Sequence, residues 1–308
     1  MDYDHLIREI NRSYPLHIEQ IRLHREMIGG VYFAEGEGKR YVLKIYRSFK
    51  TADALQSVRI LDYLEAHSYP AVTVLRTAGQ ESHILLEAQD GLQAAVLFRY
   101  AEGATPDGIA EAEVIGQQTG ELHQLMQGYP DELIHRTKTD YIGDYLSIMR
   151  ELDCASESVA ALEHYGNELW SRMSDLPRHF CHGDLHTGNM LRDSRGQYVL
   201  MDFDDASGDY PAMDVAYMSD NTHFNLFHES MYDDTRRLFE QFYSGYSKVR
   251  TLSDKEYSAV FDFIAVRHYQ IISRIVRCQG LQSVSKAFCD EQYGWLMKWR
   301  ELCLSKQY

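Results

Sequence analysis

His182-Gly183-Asp184-Leu185-His186-Thr187-Gly188-Asn189 is followed by Met201-Asp202-Phe203-Asp204-Asp205, with Asp202 thirteen positions past Asn189. Between them, Met190-Leu191-Arg192 and Tyr198-Val199-Leu200-Met201 are short apolar runs around Asp193-Ser194-Arg195-Gly196-Gln197, a turn by composition. The spacing predicts a hairpin in which Asn189 opens one strand and Asp202 closes its partner. A hairpin sets those two side chains next to each other, as two ligands of one ion must be.

Magnesium takes oxygen ligands, few of them from protein and the rest from phosphate and water. Asn189 and Asp202 suit it, and Asp184 is an isolated carboxylate able to accept a proton from an attacking hydroxyl. Phosphoryl transfer from ATP uses such a set. Two other readings stand beside it. Asp, Gly and Asn are common turn residues, so any one of these fragments alone carries little. His182-x-Asp184-x-His186 with the downstream aspartates also suits a zinc or manganese site in a hydrolase.

The 308 residues suffice for two lobes, and 44% hydrophobic with 25% charged residues is an ordinary globular balance. The 31 basic against 46 acidic residues give a net charge of -15, which argues against a nucleic-acid partner. There is no apolar run of membrane-spanning length, and the acidic start Met1-Asp2-Tyr3-Asp4-His5 lacks a signal-peptide core. The five cysteines (Cys154, Cys181, Cys278, Cys289, Cys303) are scattered, with no CxxC pair. Free thiols in a cytoplasmic protein are the simplest expectation.

The first hundred residues read as strands joined by tight turns. Tyr32 to Ala34 and Arg40 to Tyr46 flank Glu35-Gly36-Glu37-Gly38-Lys39 as a hairpin. Val72 to Leu75, His83 to Glu87 and Ala94 to Phe98 are further strands, the last preceded by the turn dipeptide Asp90-Gly91. One long helix interrupts them, capped by Thr51, with Leu55, Val58, Leu61 and Leu64 on one face. After Tyr100-Ala101-Glu102-Gly103 the pattern turns helical. Thr105-Pro106 reads as a helix start, with Ile115, Thr119, Leu122 and Met126 following. Ser253 to Glu256 is a capping box before a long apolar-periodic segment, and 285–304 is another. This predicts an α+β chain of two lobes. Residues 1–98 form a small antiparallel sheet with one long helix, and 99–308 a larger, mainly helical lobe that includes the motif hairpin, with a hinge at 98–103.

Lys44 lies inside an apolar strand, with Tyr41, Leu43 and Ile45 on one side and Val42, Lys44 and Tyr46 on the other. It is either a solvent-facing lysine with a buried stem or a point charge for nucleotide phosphates. Taken with Val42-Leu43-Lys44-Ile45-Tyr46, Ile115-Gly116-Gln117-Gln118-Thr119-Gly120-Glu121-Leu122-His123 and the two opening strings, the chain resembles the aminoglycoside phosphotransferase and choline kinase family, from about Ile28 to about Met218. That resemblance implies a protein-kinase-like fold that uses ATP and Mg2+. It makes Asp184 the catalytic base, Asn189 and Asp202 the metal ligands and Lys44 the phosphate contact. His182 and Asp214 would brace the catalytic loop. Leu97 to Gly103, with Arg99 and Ala101, would hold adenine through the backbone. Gly29-Gly30 is the only candidate for a phosphate loop. A lysine-pairing glutamate is expected near Gln56 and Ser57, where none stands; Asp62 and Glu65 are the nearest acids on that helix.

The expectation is an O-phosphotransferase acting on a small hydroxyl compound. Asp204, Asp205 and Asp209 suggest a cationic acceptor of the aminoglycoside, choline or homoserine-kinase type, and His186, Asp204 and Asp205 are the substrate-side candidates. Two alternatives remain. One is a Ser/Thr protein kinase of the bacterial stress-response type, which Asp202-Phe203-Asp204-Asp205-Ala206 also resembles. The other is an ATP-binding regulatory module without turnover.

Overall fold

The computed structural model describes residues 2–26, 29–88 and 91–306. The chain divides into two compact units, Met1–Pro106 with Gly188–Ala206, and Asp107–Thr187 with Ser207–Tyr308. The motif hairpin therefore groups with the sheet, which differs from a linear division at 98/99. Backbone pairing is the reason. Val72 N–H donates to Leu200 C=O (2.9 Å), and Ala104 and Arg192 exchange bonds of 3.1 and 2.8 Å. The hairpin, β6 (Met190–Arg192) and β7 (Tyr198–Leu200), is thereby tied to segments 70–72 and 104.

The first unit is built on an antiparallel sheet of order β1-β2-β3-β5-β4, comprising β1 (Gln20–Glu26), β2 (Gly29–Gly36), β3 (Lys39–Tyr46), β4 (Ile84–Ala88) and β5 (Gly91–Arg99). Strand alternation decides its two faces. Tyr41, Leu43 and Ile45 of β3 join one core with Ala95 and Leu97 of β5 and with Leu6 and Ile10 of helix α1 (Tyr3–Ser13). Val42 and Lys44 point to the opposite face, as the period of two predicts. The β2–β3 turn puts Glu37 at φ 53° and Gly38 at φ 72°, the pair of left-handed residues that a tight hairpin turn requires. Of the expected Asp90-Gly91 turn, Asp90 lies outside the described residues, as does Ile28, where the family resemblance begins.

The amino-terminal segment also forms helix α1, whose Leu6 and Ile10 recur at helical spacing among charged residues. Three expectations about the elements need correction. Val72 to Leu75 is no sheet strand; its segment makes only the isolated bridges Ala71–Leu200 and Val74–Phe98. Thr51 is the first residue of α2 (Thr51–Ala66) and makes no capping bond, since a 3-10 turn at Ser48–Lys50 leads straight into the helix. Thr105-Pro106 starts no helix. Asp107 Oδ1 accepts from Ile109 and Ala110 N–H in a turn, and α3 (Ala112–Leu125) begins five residues later.

The second unit contains α3, α4 (Asp144–Glu151), α5 (Ser156–Met173), α6 (Pro211–Ser219), α7 (Met231–Tyr246), α8 (Asp254–Gln279) and α9 (Lys286–Lys306). The Ser253–Glu256 capping box opens α8 as expected. Among the described residues no helix is long and apolar enough to cross a membrane. The five cysteines are free.

Helices α3 and α7 touch backbone to backbone. A Cβ on Gly116 would come 2.0 Å from the Phe242 carbonyl oxygen, and one on Gly245 would come 1.7 Å from that of Glu113. Gly245→Ala should therefore lower unfolding free energy by roughly 1–3 kcal/mol, the range for overpacking. A urea midpoint equal to wild type would show that the contact yields freely. Buried His268 stacks on Trp295 at 3.6 Å and on Phe224 at 4.9 Å. Burial lowers its pKa from 6.5 to about 3, against the Gln292 hydrogen bond, which raises it. Between those values the unfolded chain binds a proton that the folded chain rejects. The stabilisation is therefore complete above pH 6.5 and is lost as pH falls, by up to about 1.4 kcal/mol per pH unit. His268→Phe should flatten this limb in urea titrations at pH 4.5 and 6.5; an unchanged slope would assign it to other groups.

Candidate active site

The first unit contains a cleft of about 310 Å³. Val31, Val42, Leu61, Phe98, Leu191 and Met201 give it apolar walls, and Lys44, Asn189, Asp202 and Asp204 lie at its polar end. Arg99, which ends β5, and the following Tyr100 and Ala101 also line it. An apolar cleft beside a chain segment leaving a strand, with charged groups among its lining, has the composition of a site for a base carrying phosphates.

The polar end is organised by Lys44. Its Nζ donates to Asp202 Oδ1 at 2.7 Å and to Asp204 Oδ2 at 2.6 Å. Asp204 Oδ1 also accepts from the Tyr46 hydroxyl at 2.9 Å, and Asp202 Oδ2 from Arg25 Nη2 at 3.1 Å. Burial disfavours the Lys44 cation, but the two carboxylates outweigh it and raise its pKa well above the ordinary value. For Asp202, burial is outweighed by Lys44 and Arg25, and its pKa is lowered. For Asp204, burial and the neighbouring Asp202 charge win, and its pKa rises to about 6. One ammonium cannot fully compensate two adjacent carboxylates, and only Asp202 has Arg25 as a second cation, so Asp204 holds its proton more tightly.

The helix partner expected for Lys44 does not exist. The region of Gln56 carries an amide, which donates from Nε2 to Ala206 C=O at 2.7 Å. Asp62 pairs with Arg76 instead. The lysine is ordered by the two aspartates after β7, and the signal for it was the Asp-Phe-Asp-Asp string itself.

Asp202 adopts φ 65°, ψ 56°, the left-handed region uncommon for a residue with a Cβ. Asn189 is buried at the end of a 3-10 turn, Thr187–Asn189, and its C=O accepts from Met201 N–H at 3.0 Å. The hairpin thus places Asn189 beside the residue preceding Asp202. The two offer an amide oxygen and a carboxylate, a donor set of hard oxygens that fits Mg2+. Among the described residues no group of three or more His, Cys, Asp or Glu side chains is arranged to hold a metal. The zinc-type reading of His182, Asp184 and His186 therefore has no geometric support.

Gly29 and Gly30 do not form a loop. They open β2, in register with Tyr46 and Ile45 of β3. Asp205 is paired with Lys50 at 3.4 Å, and Asp204 is held by Lys44 and Tyr46, so both are engaged within the fold. Asp209 is fully buried, accepting from Tyr141 Oη (2.8 Å) and Arg178 Nη1 (3.2 Å).

In the second unit, Asp214 Oδ1 accepts from Gly183 N–H at 2.9 Å and Oδ2 from His182 N–H at 2.6 Å. His123 Nε2 lies 3.0 Å from the same Oδ2, and its Nδ1 lies 2.8 Å from the Tyr246 hydroxyl. Burial lowers the His123 pKa although Asp214 opposes it. A buried carboxylate on α6 thus fixes the backbone just before Asp184, and His123 of α3 completes that anchor. Nothing in the sequence around His123 singles it out, because its partners lie 91 and 123 positions away. Asp184 itself lies 3.4 Å from Arg274 and 3.9 Å from Arg267, both on α8, and 3.8 Å from His186.

The fold is that of small-molecule kinases. The structure superposes on the amicoumacin kinase hAmiN, solved in complex with AMP-PNP, Ca2+ and Ami, with TM-score 0.78 at 20% identity, covering 99% of this chain and 94% of that one. A microcompartment-associated aminopropanol kinase gives 0.75 at 16% identity, with 98% and 96% covered. A spectinomycin phosphotransferase in complex with ADP and spectinomycin gives 0.64 at 13%, with 99% of this chain and 98% of that one covered. At these identities the likeness is one of fold. Residues 21–252 match the phosphotransferase enzyme family, and the chain belongs to it. An uncharacterized protein of Deinococcus radiodurans is 23% identical over 306 residues, covering 95% of this chain and 88% of its own. An uncharacterized protein of Synechocystis sp. is 24% identical over 248 residues, 73% of this chain. The match spans 64% of the length of that relative.

Lys44→Met would leave Asp202 and Asp204 adjacent without their shared cation. The site is about a fifth exposed. The loss should therefore fall below the ~3–5 kcal/mol of a fully buried broken pair. Lys44→Met/Asp204→Asn should recover part of it, a coupling that a double-mutant cycle reads from melting curves. Equal melting of all four proteins would show that the cluster contributes nothing to stability.

Proposed function

We propose that the protein is an ATP- and Mg2+-dependent O-phosphotransferase acting on a hydroxyl of a small molecule. The single observation that carries this is the Lys44–Asp202 pair at the polar end of an apolar cleft, with Asn189 held next to Asp202 by the hairpin. The adenine would lie between the walls formed by Val31, Val42, Leu191 and Met201, against the backbone of Arg99 to Ala101. Lys44 would hold the phosphates, and Asn189 with Asp202 would hold the metal. Magnesium, when bound, neutralises phosphate charge.

Lys44 spans two roles. In the free protein its ammonium compensates Asp202 and Asp204; with nucleotide bound it would turn toward phosphate as Asp202 takes the metal. Asp184 would accept the acceptor's hydroxyl proton. The oxygen so released forms its bond to the γ-phosphorus while the bond from that phosphorus to the β,γ-bridging oxygen breaks, and ADP leaves. The hydrogen bonds of Asp214 to the His182 and Gly183 backbone would keep Asp184 in place.

Asp184→Asn should reduce transfer by roughly a hundred- to ten-thousand-fold, the range for general-base assistance, while Mg·ATP binding by calorimetry changes little. Turnover near wild type would remove Asp184 from this role. Binding of Mg·ATP by the wild type without consumption, across hydroxyl compounds and a generic protein substrate, would instead mark a regulatory module. Transfer only to the protein substrate would mark a protein kinase.

A further inference from the structure

The surroundings of Asp184 are cationic. Arg267 and Arg274 lie seven residues apart on α8, two turns along one face. Both approach the same oxygen, Asp184 Oδ1, at 3.9 and 3.4 Å. Arg267 is held from behind: its guanidinium stacks on the Tyr217 ring at 4.5 Å, donates to Tyr217 C=O at 3.3 Å and lies 3.8 Å from Asp220. Its side chain is 18% exposed and that of Arg274 29%. Planar guanidinium groups are suited to bidentate recognition of carboxylate or phosphate.

A cationic acceptor was suggested by Asp204, Asp205 and Asp209. All three are engaged elsewhere, with Lys44 and Tyr46, with Lys50, and with Tyr141 and Arg178. In a chain of net charge -15, the charge placed next to the proposed base is nonetheless positive. An ammonium group brought there would face two guanidinium groups. An anionic group would be attracted by both and would draw them off Asp184, leaving that carboxylate to the hydroxyl.

We infer that the phosphoryl acceptor is a hydroxyl compound bearing an anionic group, carboxylate or phosphate, which Arg267 and Arg274 hold beside Asp184. This rests on the phosphotransferase reading and specifies its acceptor. Arg267 and Arg274 are specificity-determining residues; the proton still passes from the acceptor hydroxyl to Asp184.

The test has a turnover arm and a binding arm. Turnover is measured with Mg·ATP and matched acceptors: glycerate, glycerol 3-phosphate, glycerol and ethanolamine. Wild type should favour one of the two anions, and which one distinguishes carboxylate from phosphate. Arg274→Gln should raise KM for that anion by about tenfold or more, the loss of one charge-assisted hydrogen bond, with a smaller effect on kcat and on turnover of glycerol and ethanolamine. Arg274→Lys should restore part of the loss. Preference of the wild type for ethanolamine, or an equal loss on every acceptor in Arg274→Gln, overturns the inference; the second outcome would mark the arginines as transition-state groups. In the binding arm, the thermal shift induced by each anion without nucleotide is compared among wild type, Arg274→Gln and Arg267→Gln. A shift diminished in both variants supports the inference, and identical shifts in all three overturn it. Because this arm needs no ATP, absence of all transfer would sink the enzymatic reading while still deciding whether the anion binds here.

Discussion

The sharing of one ammonium by two carboxylates organises the first unit's site. Asp202 and Asp204 stand in hydrogen-bond contact with Lys44 in a poorly solvated corner. Two adjacent carboxylates repel strongly there unless a cation or a proton intervenes. Lys44 is anchored by its strand, whose opposite face is packed into the sheet core through Leu43 and Ile45. The turn after β7 must therefore come to the lysine, and it does so with Asp202 in the left-handed region. Such a conformation costs of order 1–3 kcal/mol and persists where surrounding contacts over-determine it. Arg25, Tyr46 and the Gln56 bond to Ala206 supply those contacts.

A second carboxylate does comparable work in the other unit by the opposite means. Asp214 is surrounded by donors rather than by a formal cation: two backbone N–H groups and the His123 ring. Buried anions are stabilised by converging hydrogen bonds as well as by ion pairs. Because the donors are the backbone of His182 and Gly183, holding the charge also holds the chain immediately before Asp184. Gly183, at φ 79°, takes a conformation that a side chain would strain.

Much of this was legible in the sequence. The β2–β3 hairpin followed from period-two alternation and two glycines, the β6–β7 hairpin from short apolar runs around a turn, and α8 from its capping box. Those signals are local, and local physics decides them. What could not be read was decided at long range. Val72 to Leu75 alternates like a strand, but sheet membership depends on a neighbour with open hydrogen bonds, and only isolated bridges result. Thr51 and Thr105-Pro106 have the composition of helix starts, yet a 3-10 turn and an Asp107 turn supply the entry instead. The family resemblance implies a helix glutamate for Lys44, whereas its partners lie 158 and 160 positions away.

The acidic residues near the motif show why composition is a poor guide to ligand charge. Asp204, Asp205 and Asp209 are neighbours in sequence and invite reading as one negative surface. In the folded chain each is consumed by a different structural task, with Lys44, Lys50 and Arg178 as respective counterions. Arg267 and Arg274, more than fifty residues beyond the motif, supply the local field at Asp184. Net charge acts over solubility and diffusion; recognition depends on the few groups within one Debye length of the reacting atoms, about 8 Å at physiological ionic strength. On the proposed reading, charge selection at the acceptor side would belong to helix α8, while the residues of the two motif strings would hold nucleotide, metal and proton. Acceptor preference would then change through positions 267 and 274 without disturbing Lys44, Asn189 or Asp202.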